Sequence, residues 1–170
     1  MNSKGVISCH FVCFMNEMAP QLINTENGGG QMFSGMSNHS VDSKGRIVLP
    51  AKFREELGES FYLARGFGNP CVQVMSKEQF KALSERISEL PANKAMALQY
   101  SFTASAVEVT PNASGRVMIP QTMRDYAEIE GDALVIGMNK RIEIWSGKKF
   151  EQFMDSQKDV IAEALTMLRL

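Results

Sequence analysis

The feature that most constrains this chain is an internal repeat of about 70 residues. Residues 41–55 read VDSKGRIVLPAKFRE, and residues 111–125 read PNASGRVMIPQTMRD. Both segments contain glycine, arginine, three apolar residues and proline in unbroken order, with a second arginine four residues after the proline. Chance explains two or three such matches but not the whole block. The sequence therefore predicts a unit present in two copies rather than a longer solenoid.

Each copy predicts the same succession of a strand, a tight turn, a return strand and a short helix. The turn-forming residues are Asp42 and Gly45 in the first copy and Asn112 and Gly115 in the second. Asp and Asn hydrogen-bond their own downstream backbone, and glycine allows positive φ. The proline ends the return strand and begins the helix. The predicted strands are 38–41, 46–49, 106–110 and 116–119, and the predicted helices are 51–57 and 121–127.

Further strands and helices complete the two units. Ser76 and Gln79 predict a capping box ahead of an apolar helical face, and Pro91 ends that helix. From Lys148 onward, apolar residues at helical spacing form a stripe that serves core packing or self-association. The predicted strands are 60–65, 71–75, 133–138 and 141–145, and another helix is predicted over 92–102.

The return strands are apolar at nearly every position after the arginine, which predicts burial on both faces. One copy is too small to enclose such strands. We therefore predict an α+β, β-rich fold in which the two copies interleave their hairpins into one compact body with flanking helices. The predicted organisation is an N-terminal extension at 1–31, a first unit at 32–104, a second unit at 105–154 and a C-terminal helical tail at 155–170.

Residues 1–31 lack the pattern of the rest and end in three glycines and a glutamine just before Met32. A flexible arm is one interpretation. The favoured hypothesis is a translated ribosome-binding site, because glycine codons are G-rich and Met32 supplies a start codon. The mass of the protein from its native host tests this hypothesis, and a mass that includes residues 1–31 contradicts it.

Composition restricts the classes of function. The formal net charge is −1, although the charged residues between Ser40 and Arg54 sum to +3. No apolar run is long enough for a bilayer, no secretion signal is present, and three sparse cysteines fit a reducing compartment. Cys9, His10 and Cys13 have no second ligand pair at zinc spacing, so neither a metal site nor a cofactor is predicted. We expect a cytoplasmic protein.

The repeated block resembles a known family. MFSG at 32–35 with VDSKGR at 41–46 resembles the start and first signature of the MraZ family, and NASGR at 112–116 resembles its second signature. The resemblance extends from Met32 to about Asp155, and the two signatures are specific only together. It implies a swapped-hairpin fold of the AbrB type with both units in one chain, and a ring-shaped homo-oligomer. It also implies a nucleoid-associated regulator, expected to be a repressor, that binds double-stranded DNA at direct repeats upstream of its own division and cell-wall operon.

We expect the two hairpin turns to approach the DNA. Arg46 and Arg116 can each fork onto guanine or phosphate, and Lys44 offers a phosphate contact. Three further basic residues are expected to extend this surface: Lys52, Arg54 and Arg124. The alternative for the arginines is a salt bridge within the protein. One chain offers few contacts, so affinity is expected to come from several chains of one oligomer acting together.

One position departs from the family pattern, because Asn112 stands where the second signature usually has aspartate. If the aspartate only forms the turn, asparagine replaces it at little cost. If its carboxylate orients the arginine by an ion pair, the second copy lacks that pair. The turn role is the favoured interpretation.

Two other classes of function were considered. No P-loop, dinucleotide fingerprint, zinc-protease motif or nucleophile elbow is present, and His39 is the sole histidine after residue 31, so no enzyme is predicted. The other alternative is an antitoxin-like protein-interaction module of the AbrB superfamily.

Overall fold

The computed structural model describes residues 32–169. The strands in this range are β1 Phe33–Ser40, β2 Arg46–Val48, β3 Phe61–Arg65, β4 Cys71–Ser76, β5 Val107–Val109, β6 Arg116–Met118, β7 Asp132–Asn139 and β8 Arg141–Trp145. The α-helices are α1 Ala51–Leu57, α2 Lys77–Ser88, α3 Ala92–Leu98, α4 Gln121–Ala127, α5 Gly147–Ser156 and α6 Lys158–Met167. A π-helical turn, Gln99–Thr103, follows α3 directly.

The two copies exchange strands throughout the fold. A six-stranded antiparallel sheet has the order β1-β7-β8-β4-β3-β5, and β2 pairs with β6 in a separate two-stranded ribbon. Strands of the first copy therefore pair with strands of the second at β1–β7, β4–β8, β3–β5 and β2–β6. At the β4–β8 junction Val72 lies opposite Ile144, and Val74 lies opposite Ile142. The predicted interleaved, β-rich fold with flanking helices is confirmed.

The main core lies between one face of the large sheet, the ribbon and the two short helices. Each short helix begins directly after a proline and buries equivalent side chains, Phe53 in α1 and Met123 in α4. Ile47 of the ribbon is fully buried in this core, and so is Leu49, which directly follows β2. This shared core makes the position of each turn depend on both copies.

The opposite face of the large sheet is covered by α2, α3, the π-helical turn and α5. Helix α2 packs Ile87 against Met75 and Phe102, whereas α5 packs its phenylalanines against the buried Trp145. The capping box at the start of α2 is confirmed. The hydroxyl of Ser76 accepts from the backbone N–H of Gln79 at 3.3 Å, and the Gln79 side chain accepts in return at 3.1 Å.

Burial on both faces of the return strands was predicted, and this is wrong. Ile47 and Val117 are buried, but Val48 is 36% exposed and Met118 is 59% exposed. Within residues 32–169 the ribbon packs on the core with one face only, and β2 and β6 form a separate two-stranded sheet of three residues each.

Several predicted bounds also differ from the structure. Strand β1 begins at Phe33 rather than at residue 38, because it pairs along its whole length with β7 of the second copy. The predicted helix over 92–102 is α3 followed by the π-helical turn. The C-terminal stripe is divided at Gln157 into α5 and α6, and the apolar residues of α6 are exposed.

Some predictions fall elsewhere in the chain. The predicted extension at 1–31, with Cys9, His10 and Cys13, lies outside the described residues. Between residues 32 and 169, no helix is long and apolar enough to cross a membrane, and no group of three His, Cys, Asp or Glu side chains could hold a metal ion.

Candidate nucleic-acid interface

The β2–β6 ribbon brings the two predicted arginines to one surface. Arg46 lies opposite Met118, and Arg116 lies opposite Val48, with Ile47 in the central pair between them. Directly opposed residues share a face of a sheet, and so do alternate residues along a strand. All four outer residues therefore lie on the exposed face, and the central pair lies in the core.

Each ribbon strand follows a turn that is closed by a side-chain oxygen. Asp42 Oδ1 accepts from the backbone N–H groups of Lys44 and Arg46, both at 2.9 Å. Asn112 Oδ1 accepts from the two equivalent N–H groups at 3.0 and 2.9 Å. Carboxylate and amide thus hold the arginine backbone in the same way, since each supplies one acceptor at the same position.

A guanidinium closes over each turn glycine from the helix of the other copy. Gly115 has φ +71°, and a Cβ there would lie 2.5 Å from Arg54 Cζ. Arg54 Nε also donates to the carbonyl of Leu49 at 3.1 Å. Arg124 lies against Gly45 in the same way. Gly45 has φ +77°, and Arg124 Nε donates to a backbone carbonyl at 3.2 Å. Both glycines are therefore required for their backbone conformation and for the space that the guanidinium occupies.

The two ribbon arginines differ in whether their guanidinium groups are bonded to another side chain. Arg46 Nε donates to Asp42 Oδ2 at 2.7 Å, in an ion pair whose side chains are 40% and 35% exposed. The guanidinium of Arg116 is bonded to no other residue between 32 and 169, and the neutral Asn112 cannot pair with it. The structure thus contains both interactions considered for the aspartate: the turn bonds occur in both copies, and the ion pair occurs in the first.

The pKa of the Asp42 carboxyl lies below its ordinary range. The backbone N–H of Arg46 is the largest cause, and the Arg46 side chain and the backbone N–H of Lys44 act in the same direction. All three hydrogen bonds favour the charged form. The carboxylate is therefore the state that closes the first turn at neutral pH.

The other predicted basic residues divide into two groups. Lys44 is exposed at the tip of the first turn, beside Arg46. Lys52 on α1 donates to the carbonyl of Ser34 at 2.8 Å, and its ammonium lies 4.9 Å from the ring centroid of Phe53. Arg54 and Arg124, like Lys52, are bonded to backbone carbonyls of the protein. The outer surface of ribbon and turns, which we call the ribbon face, therefore has three basic residues and one carboxylate.

Sequence reasoning missed two residues of the ribbon face, Val48 and Met118. It assigned them to the core because three apolar residues follow each arginine. The signal that identifies them is the period of two along a strand. In each block the first and third apolar residues are buried. The middle one therefore faces outward, on the same side of the strand as the arginine two positions before it.

The Asp42→Asn variant is expected to keep the first turn, because Asn112 already closes the second turn with an amide oxygen. Its stability is expected to depend less on pH. A lowered folded-state pKa stabilises the protein above the unfolded-state pKa, and this stabilisation is lost as pH falls through the folded-state value. Urea unfolding at pH 7 and near pH 3 checks this, and the difference between wild type and variant should shrink in acid. A difference that is equal at both pH values contradicts it.

The fold and the ribbon face define a class: a swapped-hairpin protein of the AbrB type, with both hairpin units in one chain and their turns on one basic surface. A family model described as "MraZ protein, putative antitoxin-like" matches the chain twice, at residues 32–99 and 102–169. The chain belongs to the MraZ family.

Three relatives illustrate the similarity, and each is named "Transcriptional regulator MraZ". The protein from Clostridium tetani is 45% identical over 141 residues, which cover 81% of this chain and 99% of the relative. The protein from Thermoanaerobacter sp. strain X514 is 41% identical over 82% of this chain and 100% of its own length. The protein from Clostridium acetobutylicum is 40% identical, with 82% and 99% covered. These names denote regulators rather than enzymes.

Proposed function

We propose that the chain is a sequence-specific, double-stranded-DNA-binding transcriptional regulator that uses the ribbon face. The observation that carries the proposal is the shared exposure of Arg46 and Arg116 on a two-stranded ribbon. Diagonal neighbours in such a ribbon are about 7–8 Å apart. The major groove is about 12 Å wide and admits a β-ribbon, so both arginines could fork onto guanine edges or phosphates of one short segment.

The charge distribution supports the same surface. Although the chain has a formal net charge of −1, Lys44, Arg46 and Arg116 lie together at the ribbon and the first turn. The Asp42 carboxylate is paired with Arg46, and this pairing reduces its repulsion of phosphates. Lys44 contacts phosphate in this proposal. Arg54 and Arg124 lie against the turns of the other copy, and Lys52 is bonded to β1. All three add positive potential beside the groove.

A single chain offers few contacts, so the proposal includes a ring-shaped homo-oligomer that binds direct repeats. Linked binding units gain affinity through effective concentration. Helix α6 supplies a surface for self-association, because Val160, Ile161 and Leu165 are exposed along it. We place the DNA site upstream of the chain's own division and cell-wall operon, and the protein in the cytoplasm at the nucleoid as a repressor. The names of the relatives support the regulatory role.

The test is binding of the full chain to labelled DNA from directly upstream of its own gene at several salt concentrations. An Arg46→Ala/Arg116→Ala variant is expected to bind about 100-fold more weakly, since each bidentate base contact is worth about 1–3 kcal/mol. The matched control is Arg86→Ala/Lys94→Ala, which removes two exposed cations from α2 and α3. Equal losses in both variants, or equal wild-type binding to scrambled DNA, would leave only non-specific electrostatic attraction.

The description of the matching family as antitoxin-like favours one alternative, an antitoxin-like protein-interaction module. In that case the exposed apolar residues of α6 would cover a toxin rather than another copy. A toxin that co-purifies at fixed stoichiometry, together with no DNA binding by the intact oligomer, would favour this module over the regulator.

A further inference from the structure

We infer that Val48 and Met118 read thymine methyl groups, so that the ribbon face recognises thymine as well as guanine. The inference rests on the proposed DNA-binding function and deepens it by assigning specificity to two residues of the ribbon. Its structural basis is the antiparallel register, which sets each arginine directly opposite an apolar side chain of the other copy.

The exposure of these two side chains needs an explanation because of where they lie. Val48 is 36% exposed and Met118 is 59% exposed, while the central pair of the same ribbon is buried. Single exposed apolar residues are ordinary on protein surfaces. Here two of them lie on one face of a six-residue ribbon, and the other two residues of that face are arginines. The face is therefore mixed, with cationic and apolar groups alternating across the strands.

The major groove presents a matching mixture of groups. Guanine offers two acceptors that suit an arginine fork, and the C5-methyl group of thymine is the apolar group that base edges display there. The ribbon face would thus place a methyl-sized apolar contact beside each guanine contact. We expect guanine and thymine to occur together within the few base pairs that one ribbon covers.

Charge argues for DNA, rather than a second copy of this chain, as the occupant of the ribbon face. Lys44, Arg46 and Arg116 surround the two apolar residues, and the one carboxylate of the surface, Asp42, is already paired. Two ribbon faces brought together would oppose like charges, whereas phosphates would neutralise them. Among residues 32–169, a longer stripe of exposed apolar side chains lies on α6.

The two side chains are expected to differ in selectivity. Valine is β-branched and restricted at χ1, whereas methionine is unbranched and adapts to its surroundings. Val48 should therefore tolerate fewer alternatives at its base pair than Met118 does.

The experiment replaces each thymine of the bound site by uracil, one at a time, which removes the methyl group and leaves the hydrogen-bonding edge unchanged. Burial of one methyl-sized group is worth about 0.8 kcal/mol, so wild type should lose about fourfold in affinity at the thymines that are read. The Val48→Ser and Met118→Gln variants should each lose sensitivity at their own thymine, because serine has no methyl group. Controls are Val107→Ser and Met138→Gln, which change exposed residues of the large sheet.

Equal affinity of wild type for every thymine and uracil duplex would overturn the inference. If Arg46→Ala/Arg116→Ala still abolished specific binding in that case, the proposed function would stand without methyl reading. If wild type bound no DNA specifically, the inference and the proposed function would both fail. A change of oligomeric state in Val48→Ser or Met118→Gln, measured by sedimentation and without any effect of uracil, would assign the apolar pair to self-association and overturn the inference.

Discussion

The Gly115→Ala variant is expected to lose about 3 kcal/mol of unfolding free energy. A side chain at this positive φ costs about 1–2 kcal/mol. The added Cβ would also meet the Arg54 guanidinium at 2.5 Å and displace it from the carbonyl of Leu49, and a hydrogen bond from a charged group contributes about 1.5–3 kcal/mol. Urea unfolding measures the loss.

Two comparisons separate the backbone cost from the contact with Arg54. Gly131 has φ +70° with nothing within 4 Å of its added Cβ, so Gly131→Ala should show the backbone cost alone. In the Arg54→Ala background, Gly115→Ala should cost no more than Gly131→Ala, because the guanidinium is gone. If Gly115→Ala and Gly131→Ala lost the same unfolding free energy in the wild-type background, the packing of the Arg54 guanidinium on Gly115 would contribute nothing to stability.

The Ile161→Asp/Leu165→Asp variant is expected to lower DNA affinity by about 10²–10⁴-fold without any change at the ribbon face. Ile161 and Leu165 are 40% and 39% exposed, and they lie four residues apart on one side of α6. Charges there would prevent apolar burial between copies and would separate the proposed oligomer into chains that bind singly. The affinity gained from linked binding units would then be lost.

Sedimentation velocity and DNA titration at one salt concentration check this expectation. The matched control is Ala162→Asp/Thr166→Asp, which adds the same charge about 100° around the axis of α6 from Ile161 and Leu165. The control should keep the oligomer and its affinity. A monomeric Ile161→Asp/Leu165→Asp variant that binds as tightly as wild type would contradict the need for several chains.

Local sequence signals predicted the parts of this fold that depend on local physics. The bounds of α1 and α4 agree with prediction at both ends, because a proline directly precedes the first residue of each helix. Strand β8 also agrees at both ends. The full length of β1 could not be found in this way, because its partner β7 belongs to the other copy and no local signal specifies that pairing.

The candidate site was predictable in its residue types but not in its geometry. Glycine and arginine at equivalent positions indicated two basic turns. The repeat also gives Arg54 and Arg124 equivalent positions, yet it could not show that each guanidinium packs on the turn of the other copy. Exposure of Val48 and Met118 likewise depends on which face of the ribbon meets the core. These properties follow from strand exchange, which is a tertiary feature.

The unequal turns give the ribbon face a direction. A dimer of two identical hairpin units has twofold symmetry and matches an inverted repeat in DNA. In this chain the first turn carries a carboxylate and a tethered arginine, whereas the second carries an amide and an untethered one. Fusion of the two units into one chain allowed them to diverge, so turning the duplex end for end would present a different surface to each turn. A DNA-binding surface with such polarity suits sites that repeat head to tail.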